Sequence, residues 1–297
     1  MRRTIIVWMT ILLFAGPQQL KAGWVISEQS SDAFGNKSFY TTFIQDSIIR
    51  FDKPTSISII NFNSKLVTLI FAQHRSYWQG TTTALNRTTT QMAEQQMQKL
   101  LAYAPASQKE KIKQALESFK KIQETPDSLR AFPEVTVKKT GKTDTIIGYP
   151  AAEYEITIDS VVKQLIWVTQ KVKPYHEADI DRIITFSKAM SPFAIENSLS
   201  HSKDYLRLLK NGFILKSVNF TSDGNKLVTQ VKKIRKMNIP VAIFQIPAGY
   251  IKTTIEDVMI LDTNNNILNP KNLSPNGSGS DDGLPGLPHR NNDNSLK

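Results

Sequence analysis

From Ala152 to Ile158 the side chains alternate without a slip. Ala152, Tyr154, Ile156 and Ile158 fall on one side of an extended chain, and Glu153, Glu155, Thr157 and Asp159 on the other. A period of two predicts a strand with one covered and one solvated face, as antiparallel sheets often have. In the next run Leu165, Trp167 and Thr169 alternate with Ile166 and Val168, so both parities are apolar there. That predicts a strand lying beneath a helix or loop. Earlier, from Trp24 to about Thr82, the same reading finds strands at 37–45, 47–52, 56–63 and 65–79, punctuated by Gly, Pro, Asn and Asp. The short spacings predict antiparallel neighbours joined by hairpins, with turns at 34–37 and 62–65.

The period then lengthens. Met92, Met97, Leu100, Leu101 and Ala104 recur at helical spacing, as do Ile112, Ala115, Leu116, Phe119 and Ile122. Pro105 ends the first helix, and Ser107 to Glu110 fits a capping box that starts the second. Each helix carries one apolar stripe, and the adjacent sheet is the expected place to lay it. Further helices are predicted at 177–190 and 202–211, the latter closed by Gly212. Two strand pairs follow, one with a hairpin at Asp223-Gly224-Asn225 and one within 239–252. Beyond Asn269 the chain is rich in Gly, Pro, Ser and Asn with no hydrophobic period, which predicts a disordered tail. Strands and helices in this order define an α+β chain built on an antiparallel sheet.

The N-terminus adds a compartment. Arg2 and Arg3 precede an apolar run broken at Pro17, and a short polar stretch leads to Ala22. The run is too short to cross a bilayer core, which takes roughly 20 residues, and reads as a secretory signal peptide cleaved near Ala22. The expected organisation is therefore a leader at 1–22, one folded domain at 23–268 and a tail at 269–297, with localisation in the periplasm or otherwise outside the cytoplasm. The 297 residues include no cysteine, so neither a disulfide framework nor a thiolate metal site is available. The net charge of +11 falls to a mild +8 without Arg2, Arg3 and Lys21, and for an exported chain with no recognition motif nucleic acid is not an expected partner.

Motifs that carry chemistry fail on spacing. His176 begins a zincin-like stretch, but Ile180 stands where the second imidazole belongs. Gly141-Lys142-Thr143 ends like a phosphate loop, yet Thr136 replaces its first glycine and the segment reads as a hairpin. Lys139 to Gly141, with Ser118 and Lys121, lacks the third element of penicillin-recognising enzymes. Asp262, Asn264 and Asn266 resemble a calcium loop in which Ile267 and Leu273 replace the essential glycine and glutamate. His201, flanked by Ser200 and Ser202 with Asp204 nearby, reads as a polar helix start capped by Ser202. A hydrolase would need His201 or His176 beside a serine and a carboxylate in one pocket. No enzyme activity, catalytic residue, cofactor or metal is expected.

Three stretches carry a resemblance: 146–156 followed by 166–172, the methionine-, glutamine- and lysine-rich insert 92–117, and the closing 239–250. Over roughly Trp24 to Ile260 the chain resembles a family of exported bacterial domains of unknown function, akin to the outer-membrane lipoprotein carrier (LolA-like) fold. Many such relatives carry a lipoprotein cysteine or one in the Gly-Tyr strand. Here Ala151 and Ala152 follow Gly148-Tyr149-Pro150, so lipid anchoring through cysteine is unsupported. The resemblance implies a strongly curved antiparallel sheet, an incomplete barrel, with helices covering its concave face and an apolar cavity between the layers.

On that basis the expected function is binding of an apolar or amphipathic ligand, a lipid or the acylated end of a lipoprotein. Phe39, Phe43, Phe71, Met97, Leu100, Phe119 and Trp167 are the side chains assigned to the cavity wall. The alternative is a non-catalytic structural or interaction module of the cell envelope, with a packed core and an envelope protein as partner. Neither ligand identity nor oligomeric state follows from the sequence.

Overall fold

The computed structural model describes residues 22–125, 132–190, 198–221 and 224–258. The expected leader, apart from Ala22, lies outside them, as do the expected tail and the calcium-like stretch at 262–273. Twelve strands form one curved, open sheet: β1 Ala22–Ser31, β2 Lys37–Gln45, β3 Ile48–Asp52, β4 Ile57–Asn61, β5 Leu66–Phe71, β6 Ser76–Thr81, β7 Val135–Ile146, β8 Tyr149–Ile158, β9 Val161–Thr169, β10 Phe213–Phe220, β11 Lys226–Asn238 and β12 Ile251–Lys252. The spatial order is β12-β6-β5-β4-β3-β2-β1-β11-β10-β9-β8-β7. Each batch of strands is a meander, and β1 and β11 join them as central neighbours. Every pairing is antiparallel except that of β12 with β6. Register shifts at Ser27/Glu28, Ile214/Lys216, Lys139/Thr143 and Ile156/Thr157 mark bulges, which bend strands and increase twist.

Helices α1 (Thr82–Tyr103), α2 (Ala106–Glu124), α3 (Ile180–Met190), α4 (Ser198–His201) and α5 (Lys203–Asn211) complete the fold. The largest core runs across the sheet through Ile26, Ile44, Ile49, Val231, Leu215, Phe213 and Trp167. It is covered by the 3-10 turn Pro174–Ala178 and by Ile183 and Phe186 of α3. A second core joins Val67, Leu69, Phe71 and Trp78 to Leu85 of α1 and to Ile255 and Val258. On the other side of β8 and β9, Tyr205, Leu208 and Leu209 of α5 pack on Ile156, Ile166 and Val168. An open, curved antiparallel sheet with helices over it is the architecture expected from the sequence.

The β8–β9 ribbon is covered on both faces. Ile166 and Val168 lie under α5, as the two-sided apolar pattern requires, while Trp167 enters the largest core. The solvated face predicted for β8 is therefore only partly wet. Glu153 pairs directly across from Trp167, is 5% exposed, and meets the Lys142 ammonium at 3.6 Å.

The two-helix insert departs most from expectation. Its seam runs along Met97, Leu101, Ile112, Leu116 and Phe119, with Lys120 and Glu94 paired at 3.0 Å. α2 packs on α1, and α1 reaches β6 and α3 through its early turns, where Leu85 is its one buried residue among those described. The stripes thus satisfy each other more than they cover the sheet. The capping box does not form either. Pro105 takes the N-cap position of α2, whose first turn has no side-chain cap, because the turn between the helices is too short for Ser107 to precede the helix.

The pair of strands predicted within 239–252 is also corrected. Val241–Phe244 is a 3-10 turn, with Ile243 donating to the Pro240 carbonyl at 2.9 Å, and only Ile251–Lys252 pairs as a strand. Pro240 and Pro247 lack the N–H groups that a ladder requires.

Candidate functional site

Two open clefts flank α5. The larger, about 400 Å³, lies between Phe132, Pro133 and Val135 on one side and Ser198, His201, Ser202, Lys203 and Asp204 on the other. The His201 ring stacks on Phe132 with centroids 3.7 Å apart and planes 16° from parallel. The Ser200 hydroxyl lies 3.3 Å from His201 Nδ1. Ser202 caps α5 by accepting from the Tyr205 N–H at 3.3 Å, the role expected of it, and Asp204 pairs with Arg207 one turn on. The residue types of a hydrolase are thus drawn into helix capping, ring stacking and an ion pair. His176 is engaged elsewhere, with Nε2 at 3.2 Å from the Lys210 carbonyl.

The smaller cleft, about 270 Å³, has Ala152, Tyr154, Val168 and Leu208 along its apolar side and Lys139, Thr143, Gln170, Lys171 and Asn211 along its polar side. The bulge between Lys139 and Thr143, where Gly141 takes φ +86°, opens it. Gly141-Lys142-Thr143 therefore lies inside β7 at this bulge and not at the hairpin turn expected of it, since the chain reverses farther on, at Ile147 and Gly148.

The side chains assigned to an acyl cavity are not brought together. Phe71 belongs to the second core and Trp167 to the first. Phe39 on β2 is 63% exposed, and Phe43 lies under the Arg50 guanidinium, 5.8 Å from its ring centroid. Met97 and Phe119 sit in the seam between α1 and α2, and Leu100 lies outside that seam. Among the described residues no cluster of three or more His, Asp or Glu side chains is placed to hold a metal.

Sequence reasoning missed Glu28. It lies at the β1 bulge, opposite Tyr40 and Val231, and its burial raises the carboxyl to about 7. Tyr175 in the 3-10 turn is half-buried against the largest core, and its hydroxyl pKa is raised by desolvation and then by the Glu28 charge. Its ring meets Phe213 edge-on at 5.4 Å. The signal was available, because Glu28 shares its parity with Trp24 and Ile26, which puts an acid on an apolar face.

Fold and clefts together define an α+β protein built on an open sheet, with α5 over one face of β8–β9 and two open clefts beside that helix. The chain belongs to the family described as Domain of unknown function (DUF4412), whose model matches residues 67–250. This meets the expectation of a family of unknown function. No curated protein matches. Among solved structures, that of PNGF-II is 12% identical at a TM-score of 0.35, over 81% of this chain and 32% of that one. MucB in complex with MucA(peri) is 11% identical at 0.31, over 78% and 57%. A LolA superfamily protein from Nitrosomonas europaea is 7% identical at 0.22, over 76% and 91%. The chain thus spans about a third of the first and somewhat over half of the second.

Proposed function

We propose that this chain is an exported, non-catalytic binding module of the cell envelope that engages its partner through its surface. The organisation that goes with this reading is a leader at 1–22, a folded body at 23–268 and a tail at 269–297. The observation that carries it is the filled interface between sheet and helices. Ile44 of the sheet, Ala178 of the covering turn and Val258 are each 0% exposed, and Phe71 is 1% exposed. Side chains packed to that degree leave the layers in contact with each other. A lipid carrier instead needs an apolar hollow of several hundred Å³.

Two measurements test the reading. N-terminal sequencing of protein recovered from the envelope fraction is expected to begin near Gly23, and a chain retained in the cytoplasm at full length overturns export. Native mass spectrometry of the gently extracted protein is expected to show the bare polypeptide mass. A stoichiometric co-purifying lipid would return the acyl-cavity reading to first place.

A further inference from the structure

The free end of the α1–α2 hairpin carries a surface unlike the rest of the insert. Leu101 and Ile112 close the seam near the turn, and the apolar residues at the tip that this seam does not use point outward: Tyr103 is 88% exposed and Leu100 is 43% exposed. Three residues apart, they share one side of α1. Ala102, Ala104, Pro105 and Ala106 continue this small apolar cap across the turn. Around it stand Lys99, Lys109, Lys111 and Lys113, all exposed, against the single acid Glu110.

We propose that this tip docks the protein on an anionic lipid surface, with Leu100 and Tyr103 at headgroup depth and the lysines on the lipid phosphates. The inference rests on the envelope reading above and adds the partner to it. Three features favour a bilayer over a protein groove. The tip is convex and small, so it suits a surface that deforms around it. Tyrosine is enriched where membrane meets water, because its ring is apolar and its hydroxyl is wet. The lysine collar matches a negative surface potential, each such charge near an anionic leaflet strengthening binding about fivefold. Among the described residues no helix is long and apolar enough to cross a membrane, so the contact is peripheral. An apolar cap of this size needs the charges beside it to hold, which makes the docking reversible and salt-sensitive.

The test is vesicle co-sedimentation of residues 23–297, the chain expected after cleavage of the leader. Vesicles of phosphatidylcholine are compared with vesicles carrying about a third phosphatidylglycerol, at low and high salt. Binding is expected only to the anionic vesicles and is expected to weaken with salt. Lys109→Gln/Lys111→Gln/Lys113→Gln is expected to reduce it on the order of 100-fold. Leu100→Ser/Tyr103→Ser, which leaves the seam untouched, is expected to reduce it about tenfold or more. Equal binding to both vesicle types, or wild-type binding by both variants with unchanged thermal melts, overturns the proposal. So does a photocrosslinker at position 103 that captures protein instead of lipid in the intact envelope. That last outcome would leave the envelope-module reading standing, whereas cytoplasmic retention would remove that reading without affecting the vesicle result.

Discussion

Gln164 donates from Nε2 to Oδ1 of Asn219 across 2.7 Å, joining β9 to β10 by a side-chain pair that is buried on both sides. Ser217, two residues from Asn219, is buried as well, and beyond it the Ser30 hydroxyl lies 3.1 Å from that of Thr229. A polar row thus crosses three neighbouring pairings near the middle of the sheet. The bond matters because the Gln164 Oε1 has no partner among the described residues, so the amide depends on Asn219.

Asn219→Ala is expected to destabilise the fold by about 2–3 kcal/mol, since it leaves a buried amide unpaired. Replacing both residues, Gln164→Leu with Asn219→Leu, is expected to recover most of that loss, because no buried polar group is then stranded. Urea unfolding of the two single variants and the double variant closes the cycle. Additive losses would show that the pair does not act as a unit.

Gly212 follows α5, and the sequence reading makes it a helix terminator. Its φ of −153° is extended backbone that any residue adopts, so it does not serve as a left-handed cap. Close approach explains it instead: a Cβ there would lie 2.5 Å from Val168 Cγ1 and 2.8 Å from the Thr169 carbonyl oxygen. Gly212→Ala is expected to cost about 1–3 kcal/mol through overpacking. Adding Val168→Ala is expected to relieve the side-chain clash but not the one with the carbonyl. A loss in the double variant equal to the sum of the losses in Gly212→Ala and Val168→Ala would refute this account.

What was legible in the sequence follows the physics of each segment. The sequence pattern places β2, β3 and β4 to within two residues, because their alternation is bounded by Gly, Asn and Pro turns. The run 65–79 carries one strand pattern, yet it folds back at Ala72–His74 through Arg75, whose φ is +46°. Nothing between Phe71 and Ser76 is a Gly, Pro, Asn or Asp, so the turn left no mark. α1 begins at Thr82, ten residues before its apolar stripe starts at Met92, and the threonine-rich stretch 82–90 hides that start because its intrinsic helix preference is low. Its start is set by Thr81, which accepts from the Ala84 N–H at 3.1 Å. The candidate cavity wall was the least legible part. Aromatic and methionine side chains mark burial, but periodicity cannot say which of several cores receives them.

Leu85 shows how the two-helix insert is held. It is 1% exposed and packs with Val67, Leu69, Phe71 and Trp78, whereas the far end of the hairpin carries Leu100 in solvent. Leu85→Ala is expected to destabilise by about 2–5 kcal/mol and to speed proteolytic cleavage within 82–124. Leu100→Ala is expected to change stability by less than about 0.5 kcal/mol. Comparable losses at the two positions, measured by chemical denaturation, would mean that the distal hairpin is anchored to the body after all.

Glu28 makes stability depend on pH in the direction opposite to a paired carboxylate. Burial against Tyr175 and the sheet raises its pKa to about 7, above the ordinary value near 4.5. Between those values the folded protein holds a proton that the unfolded chain has released, so stability falls as pH rises. The favourable contribution is complete below pH ~4.5 and lost above pH ~7, a span worth about 3 kcal/mol. Acid-side losses from other carboxylates overlap the lower end, so the clean window is roughly pH 5.5 to 8. Glu28→Gln keeps the side chain's shape and removes its titration. The variant's advantage over the wild type is expected to grow by about 2 kcal/mol from pH 5.5 to pH 8, with a flatter profile between. Denaturation midpoints of the two proteins at both pH values decide it, and parallel profiles would show that Glu28 is hydrated or paired when charged.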